Sequence, residues 1–124
     1  MTKVLIVEDD KVLNSAYHMI LEKDGHEVAV AFDGQEALDK AESFKPDIIL
    51  LDLLMPNVGG ISFLQEYDVK EKHPDVKVIV LSNMGDIKLV DEARELGAYK
   101  YIVKAHTTPG QLSVMIKRLA NKAE

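Results

Sequence analysis

Short apolar runs alternate along this chain with longer segments whose apolar residues recur at helical spacing. Most of the runs are unbroken, as expected for strands buried on both faces of a sheet. One run, at residues 26–31, alternates between apolar and polar residues instead. The runs predict strands at Lys3–Val7, His26–Ala31, Ile48–Leu51, Val76–Leu81 and Tyr99–Val103.

The segments between the runs carry helix start and stop signals. Asp33 precedes a helix with Glu36 in its first turn, and Thr108 precedes Pro109 with Gln111 three residues after the Thr, which are both capping-box patterns. The pattern predicts helices at Lys11–Lys23, at Gly34 to Ser43, at Ile61 to Lys72, at Asp86–Leu96, and from Thr108 onward with Leu112, Met115, Ile116 and Leu119 buried.

Five strands that alternate with five helices predict an α/β fold. The fold class is a doubly wound parallel sheet covered by helices on both faces. The length of 124 residues predicts a single domain over residues 1–124, without an output domain in this chain. Such folds bind ligands beyond the carboxyl ends of their strands, so the residues that follow each strand are the candidates for function.

Polar residues stand at four of these strand ends. Glu8 and Asp9 follow strand 1, Asp52 closes strand 3, Ser82 follows strand 4, and Lys104 follows strand 5. Asp52 is the most informative, because a carboxylate that ends a buried strand is costly unless a partner stabilises it. The sheet edge would bring three acids, a hydroxyl and an amine together.

Three converging carboxylates repel one another unless a cation lies among them. Oxygen ligands favour Mg²⁺, and no His or Cys lies at these strand ends to favour zinc. We expect Asp9 and Asp52 to bind Mg²⁺ directly and Glu8 to act through water. Asp10 is expected to cap the first helix instead.

A carboxylate beside a cation can also act as a nucleophile towards a phosphoryl group, forming an acyl phosphate. Phosphoryl transfer depends mainly on positioning and on neutralising charge. Lys104 would supply positive charge next to Asp52, and the Ser82 hydroxyl would donate a hydrogen bond to a phosphoryl oxygen.

Composition and charge limit the other function classes. The net charge of −6 disfavours binding of nucleic acid or of an anionic membrane by the domain itself. The absence of cysteine excludes disulfides and thiolate metal sites, and no segment has the length of a signal-peptide core or a membrane span. A cytoplasmic location is therefore expected.

In order along the chain, these motifs resemble those of the response-regulator receiver domains of two-component signalling, and of chemotaxis regulators among them. Gly60 resembles the loop glycine of the family and Tyr101 its switch aromatic. The longer matches are Val7-Glu8-Asp9-Asp10, Asp52-Leu53-Leu54-Met55-Pro56, Leu81-Ser82-Asn83 and Tyr101-Ile102-Val103-Lys104. The resemblance covers all 124 residues and implies a flavodoxin-like strand order of 2-1-3-4-5.

The resemblance implies a phosphoacceptor regulator rather than an enzyme with an external substrate. Asp52 would accept the phosphoryl group of a histidine kinase or a phosphotransfer protein, and the Leu54 backbone carbonyl would be a further Mg²⁺ ligand. Ser82 would then move towards the phosphoryl group and Tyr101 would turn inward. The surface of helix 4, strand 5 and helix 5 would change its preference for an output protein or domain. The same surface would be the face of a homodimer, if one forms.

Two residues depart from the family pattern. Gly59 stands where the family often has Asp, so this loop is expected to be looser. Ala105 stands where the family usually has a proline after a cis peptide bond, and a cis bond before a non-proline residue costs roughly 2.5–4 kcal/mol. In addition, Leu54 and Met84 are apolar at positions that influence phosphoryl lifetime in the family, so we expect slow self-dephosphorylation.

Two rival functions remain open at this point. One is a phosphatase or phosphotransferase of the haloacid-dehalogenase type. That chemistry requires a second acid two residues after the Asp nucleophile, and this chain has Leu54 at that position. The other is a degenerate receiver that serves only as a protein-interaction module. That function would be favoured if an acid, the hydroxyl or the lysine were missing, and none is.

Overall fold

The computed structural model describes residues 2–55, 58–83 and 87–123, with the side chains of residues 122 and 123 left out. Met84 and the predicted helix start at Asp86 lie outside the described residues. The five strands are β1 (Lys3–Val7), β2 (Glu27–Ala31), β3 (Ile48–Asp52), β4 (Lys77–Ser82) and β5 (Lys100–Val103).

All the strand pairs are parallel, and the order across the sheet is β2-β1-β3-β4-β5. The predicted doubly wound, flavodoxin-like fold is therefore confirmed. The register places Val7 opposite Leu51 and Asp52 opposite Leu81. Consequently the residues after β1, β3 and β4 emerge side by side at one edge of the sheet.

The longer helices of the described chain are α1 (Lys11–Lys23), α2 (Gly34–Phe44), α3 (Gly60–Tyr67), α4 (Ile87–Glu95) and α5 (Pro109–Ala123). A short helix, Val69–Lys72, follows α3, and a 3₁₀ turn, Lys104–His106, follows β5. In the described part of the chain, no helix is both long enough and apolar enough to cross a membrane.

The helix predicted at Ile61 to Lys72 is interrupted at Asp68. Asp68 adopts a left-handed conformation with φ of 54°, and its backbone N–H donates to the Leu64 carbonyl. Asp tolerates this conformation better than most residues because its short polar side chain can bond locally. After the break Val69, which is 2% exposed, packs into the core.

Alternating residues of each strand build two cores, one on each face of the sheet. Leu5, Ile49 and Val80 pack with residues of α2, α3 and α4 on one face. Ile6, Leu50 and Leu81 pack on the other face with residues of α1 and α5. Because β1, β3 and β4 are covered on both faces, their carboxyl ends hold the groups that follow them in fixed positions.

The three predicted N-terminal caps are formed, and Asp33 accepts from the backbone N–H of Glu36 at 2.9 Å at the start of α2. The Asp10 carboxylate accepts hydrogen bonds from the backbone N–H groups of Val12 and Leu13 at 3.0 and 3.1 Å. Thr108 and Gln111 form a reciprocal capping box, in which each side chain accepts from the other's backbone N–H. The caps fix where α1 and α5 begin relative to the sheet.

Candidate functional site

Three carboxylates meet at the carboxyl edge of the sheet. Glu8 is fully buried after β1, Asp52 is 4% exposed at the end of β3, and Asp9 is exposed. One carboxylate oxygen from each lies within 4.8 Å of the others. The structure thus brings together the three acids that the sequence predicts, with only Asp9 open to solvent.

Lys104 provides the positive charge of the site. Its Nζ donates to Glu8 Oε1 at 2.6 Å and to Asp52 Oδ2 at 2.9 Å, and the side chain is 19% exposed. The 3₁₀ turn that begins at Lys104 contains Ala105, and the described chain holds no cis peptide bond, so the Lys104–Ala105 bond is trans. The lysine therefore reaches Asp52 without a cis bond before Ala105.

The backbone after β3 holds the other side of the Asp52 carboxylate. The Leu54 N–H donates to Asp52 Oδ1 at 3.1 Å, while the Leu54 side chain is 48% exposed beside it. Gly60 passes close to this segment, because a Cβ built on Gly60 would lie 2.7 Å from both the Asp52 carbonyl oxygen and the Leu53 Cα. Only glycine fits here without moving the backbone that carries Asp52.

Ser82 and Tyr101 occupy different environments beside the acids. Ser82 is 3% exposed, and its hydroxyl donates to the Ile102 carbonyl at 3.4 Å. Tyr101 is 46% exposed and lies on the outer side of β5. Ser82 directly follows Leu81, the register partner of Asp52, which puts its hydroxyl at the same sheet edge.

Burial and close charges shift the proton equilibria of the site. Burial, together with the hydrogen bond to Asp52, raises the pKa of Glu8 to about 8, and the opposing effect of Lys104 is smaller. Burial alone would lower the pKa of Lys104, but its hydrogen bonds to Glu8 and Asp52 outweigh burial and raise it. Lys104 therefore keeps its positive charge at neutral pH, while burial and the neighbouring Asp52 favour the protonated form of Glu8.

Asn14 is a structural member of the site that the hydrophobic pattern did not reveal. In α1 the apolar Val12 is 81% exposed, whereas the polar Asn14 is 2% exposed. The Asn14 Nδ2 donates to the Glu8 carbonyl at 2.9 Å and to the Ala31 carbonyl at 3.3 Å. It ties the turn that carries Glu8 to the end of β2.

The donor set fits a small hard cation. Every side-chain donor in the cluster of Glu8, Asp9 and Asp52 is a carboxylate oxygen, and their mutual distances allow one ion to be shared. Two of the three acids are buried, so that a cation here would relieve a repulsion that solvent cannot screen. A ligand role for the Leu54 carbonyl stays a prediction.

Comparisons with known proteins identify the family to which the chain belongs. The model of the response regulator receiver domain family matches residues 4–117. The chain is 40% identical over 103 residues to the chemotaxis protein CheY of Thermotoga maritima, covering 82% of this chain and 84% of that protein. It is 36% identical to the probable transcriptional regulator ycf27 of Guillardia theta, covering 98% of this chain but only 47% of that longer protein.

A solved structure supports the same assignment. The crystal structure of a CheY-like response regulator receiver domain protein from Methanospirillum hungatei superposes with a TM-score of 0.89 at 28% identity, covering 99% of this chain and 96% of that one. The family match, the two relatives and this structure converge on the same module. The chain belongs to the response regulator receiver domain family, whose members act in phosphorylation-based signalling.

Proposed function

We propose that this domain is a switch in which Asp52 accepts a phosphoryl group with the help of Mg²⁺. The observation that carries the proposal is the environment of the Asp52 carboxylate. It is 4% exposed, lies between the Lys104 ammonium and the Leu54 amide, and adjoins Glu8 and Asp9. A structural aspartate at the end of a buried strand has no need of two further acids.

The reaction is a transfer from nitrogen to oxygen. An Asp52 oxygen attacks the phosphorus of a phosphohistidine, the phosphorus–nitrogen bond breaks, and its electron pair stays on the imidazole. The product on this chain is an acyl phosphate at Asp52. When bound, Mg²⁺ would neutralise part of the negative charge that the phosphoryl oxygens bring next to Glu8, Asp9 and Asp52.

The chain's own residues position the group and respond to it. Lys104, already bonded to Asp52 Oδ2, neutralises charge on the phosphoryl oxygens. The Ser82 hydroxyl exchanges its bond to the Ile102 carbonyl, which is long at 3.4 Å, for a charged phosphoryl oxygen. Tyr101 then turns from its exposed position towards the space behind Ser82. These movements select a second packing of the domain.

The readout would be the surface formed by α4, β5 and α5. Ile87, Tyr101 and Val114 are large apolar side chains exposed there by 72%, 46% and 50%. We propose that an output protein or domain, or a second copy of the chain, binds this surface. A histidine kinase or phosphotransfer protein would be the donor, and a cytoplasmic location belongs to the same proposal.

The haloacid-dehalogenase alternative is not favoured. Its second acid would stand at Leu54, whose apolar side chain is 48% exposed at the mouth of the site and cannot protonate a leaving group. The interaction-module alternative is not favoured either, because Lys104 and the acids are assembled at bonding distances.

The test is phosphorylation by a small donor. The protein is incubated with Mg²⁺ and acetyl phosphate, and its intact mass is recorded beside those of Asp52→Asn and Asp39→Asn, the latter an exposed aspartate on α2. We expect one phosphoryl group on the wild type and on Asp39→Asn, and none on Asp52→Asn or after chelation of Mg²⁺. An equal adduct on Asp52→Asn, or no adduct on the wild type, would overturn the proposal.

A further inference from the structure

A groove on the protein surface lies between α2 and α3, and its volume is about 510 Å³. Its lining includes Leu38 and Glu42 from α2, Glu66 and Tyr67 from α3, and Lys72 and His73 from the segment that follows α3. Among the described residues, those of the Asp52 site do not line this α2–α3 groove. The groove is therefore a separate feature of the domain.

Tyr67 presents an unpaired hydroxyl to the groove. The side chain is only 7% exposed, and its ring is stacked with Phe63 at a centroid distance of 5.2 Å and with His73 at 4.0 Å. Because these two rings cover the faces of Tyr67, its edge and its hydroxyl are the parts that line the groove. No hydrogen bond joins this hydroxyl to another described residue. It is thus a fixed polar group available to a ligand.

The charge of the groove is negative. Glu42 on α2 and Glu66 on α3 are exposed, and neither forms an ion pair with another described residue, although Lys72 also lines the groove. A third acid, Asp39, already accepts a hydrogen bond from the Gln35 amide at 3.3 Å. The two glutamates therefore remain as acceptors for a positively charged ligand.

The spacing of these acids selects the kind of cation. Within the described chain, three acids whose oxygens could share one metal ion occur at Glu8, Asp9 and Asp52 and not in the groove. A planar guanidinium, with five N–H donors, fits separated acceptors better than a point charge does. Its flat faces and its apolar stem can also pack on Leu38 and His73, which line the same groove.

From this chemistry we propose that the α2–α3 groove binds an arginine side chain presented by a protein partner. The guanidinium would donate to the carboxylates of Glu42 and Glu66 and to the hydroxyl oxygen of Tyr67. Pockets for drug-sized ligands have volumes of roughly 300–1,000 Å³, so a groove of about 510 Å³ can hold the side chain together with part of the peptide that carries it. The proposal goes beyond phosphoryl transfer at Asp52 and does not depend on it.

The test titrates the full unphosphorylated chain, labelled with ¹⁵N, with the tripeptide acetyl-Ala-Arg-Ala-amide. Two further tripeptides replace the arginine by citrulline, its neutral isostere, or by lysine. The backbone amide shifts of α2 and α3 report binding, and their saturation gives the dissociation constant. Glu66→Gln and Tyr67→Phe each remove one proposed acceptor. Glu92→Gln removes the same charge from an exposed site on α4 that does not line the groove.

We expect the arginine peptide to shift the α2 and α3 signals saturably and the citrulline peptide to leave them in place. Glu66→Gln should weaken binding about two- to fivefold, and Glu92→Gln should leave it unchanged. Tyr67→Phe should also weaken binding, whereas Lys72→Gln should strengthen it because a competing cation is removed. Absence of saturable shifts in the groove, shifts confined to the carboxyl edge of the sheet, equal binding of the lysine peptide, or unchanged binding in Glu66→Gln would overturn the inference.

Discussion

Replacement of Asn14 by alanine tests whether this buried amide holds the acidic turn after β1. The change removes the donor to the Glu8 carbonyl at 2.9 Å, whereas the Ala31 carbonyl keeps its bond from the Glu8 N–H at 3.1 Å. One buried acceptor is left without that donor, which costs about 1–3 kcal/mol. We expect Asn14→Ala to lower the free energy of unfolding by about 2 kcal/mol.

The assay is urea unfolding followed by circular dichroism. With an m-value of about 1.5 kcal/mol/M, the expected loss lowers the midpoint by about 1 M. The matched control is Asn121→Ala, an exposed asparagine on α5, where alanine is the better helix former and stability should hold or rise slightly. If Asn14→Ala unfolded at the same urea concentration as Asn121→Ala, the assigned role of Asn14 would be wrong.

Three further predictions follow from single residues. His26 has a buried Nε2 without a hydrogen-bond partner among the described residues, and burial lowers the pKa of its imidazole. The neutral imidazole is therefore the form that suits the fold. Its contribution to stability is fully present above the unfolded-state pKa of about 6.5 and is lost as the pH falls through the lower folded-state pKa. The urea midpoint of unfolding, measured from pH 8 to pH 5, should therefore fall towards pH 5. His26→Gln should make that fall less steep. An equally steep fall in the variant would contradict the assigned role of His26. Gly60→Ala places a Cβ against the Asp52 backbone and should lower the free energy of unfolding by about 1–3 kcal/mol. The control is Gly110→Ala, whose Cβ would lie 3.8 Å from its nearest neighbour and should leave that free energy unchanged. Equal unfolding midpoints for the two variants would refute this prediction. Leu54→Glu should shorten the lifetime of the acyl phosphate by several-fold, measured by intact mass after donor removal, because the wild-type side chain cannot orient an attacking water; a wild type that loses the group just as quickly would contradict the expected slow self-dephosphorylation.

Much of the fold followed from the pattern of apolar residues. Strands buried on both faces have little freedom in composition, so unbroken runs such as Ile48–Leu51 identify them without tertiary information. The N-terminal cap of α5 could also be predicted from the sequence, because the reciprocal hydrogen bonds between Thr108 and Gln111 depend only on two residues that are three positions apart. The strand ends then placed the acids, since parallel strands share one carboxyl edge.

Other features depend on contacts between segments that are distant in the sequence, and the sequence alone did not predict them. Asn14 is buried because its partners are carbonyls of β2 and of the turn after β1, which helical periodicity does not report. The interruption at Asp68 reflects the packing of Val69 in the core. The contacts of Lys104 with two acids depend on the 3₁₀ turn that begins at this lysine. The contact between Arg94 and the Tyr101 ring joins α4 to β5.

Asp52 is the residue that we propose carries the phosphoryl group. The most direct measurement traps that group chemically: the phosphorylated protein is reduced with borohydride, which converts an acyl phosphate into an alcohol, and its peptides are sequenced by mass spectrometry. We expect homoserine at position 52 and unmodified carboxylates at Glu8 and Asp9. Reduction at either of those acids, or at none, would contradict it.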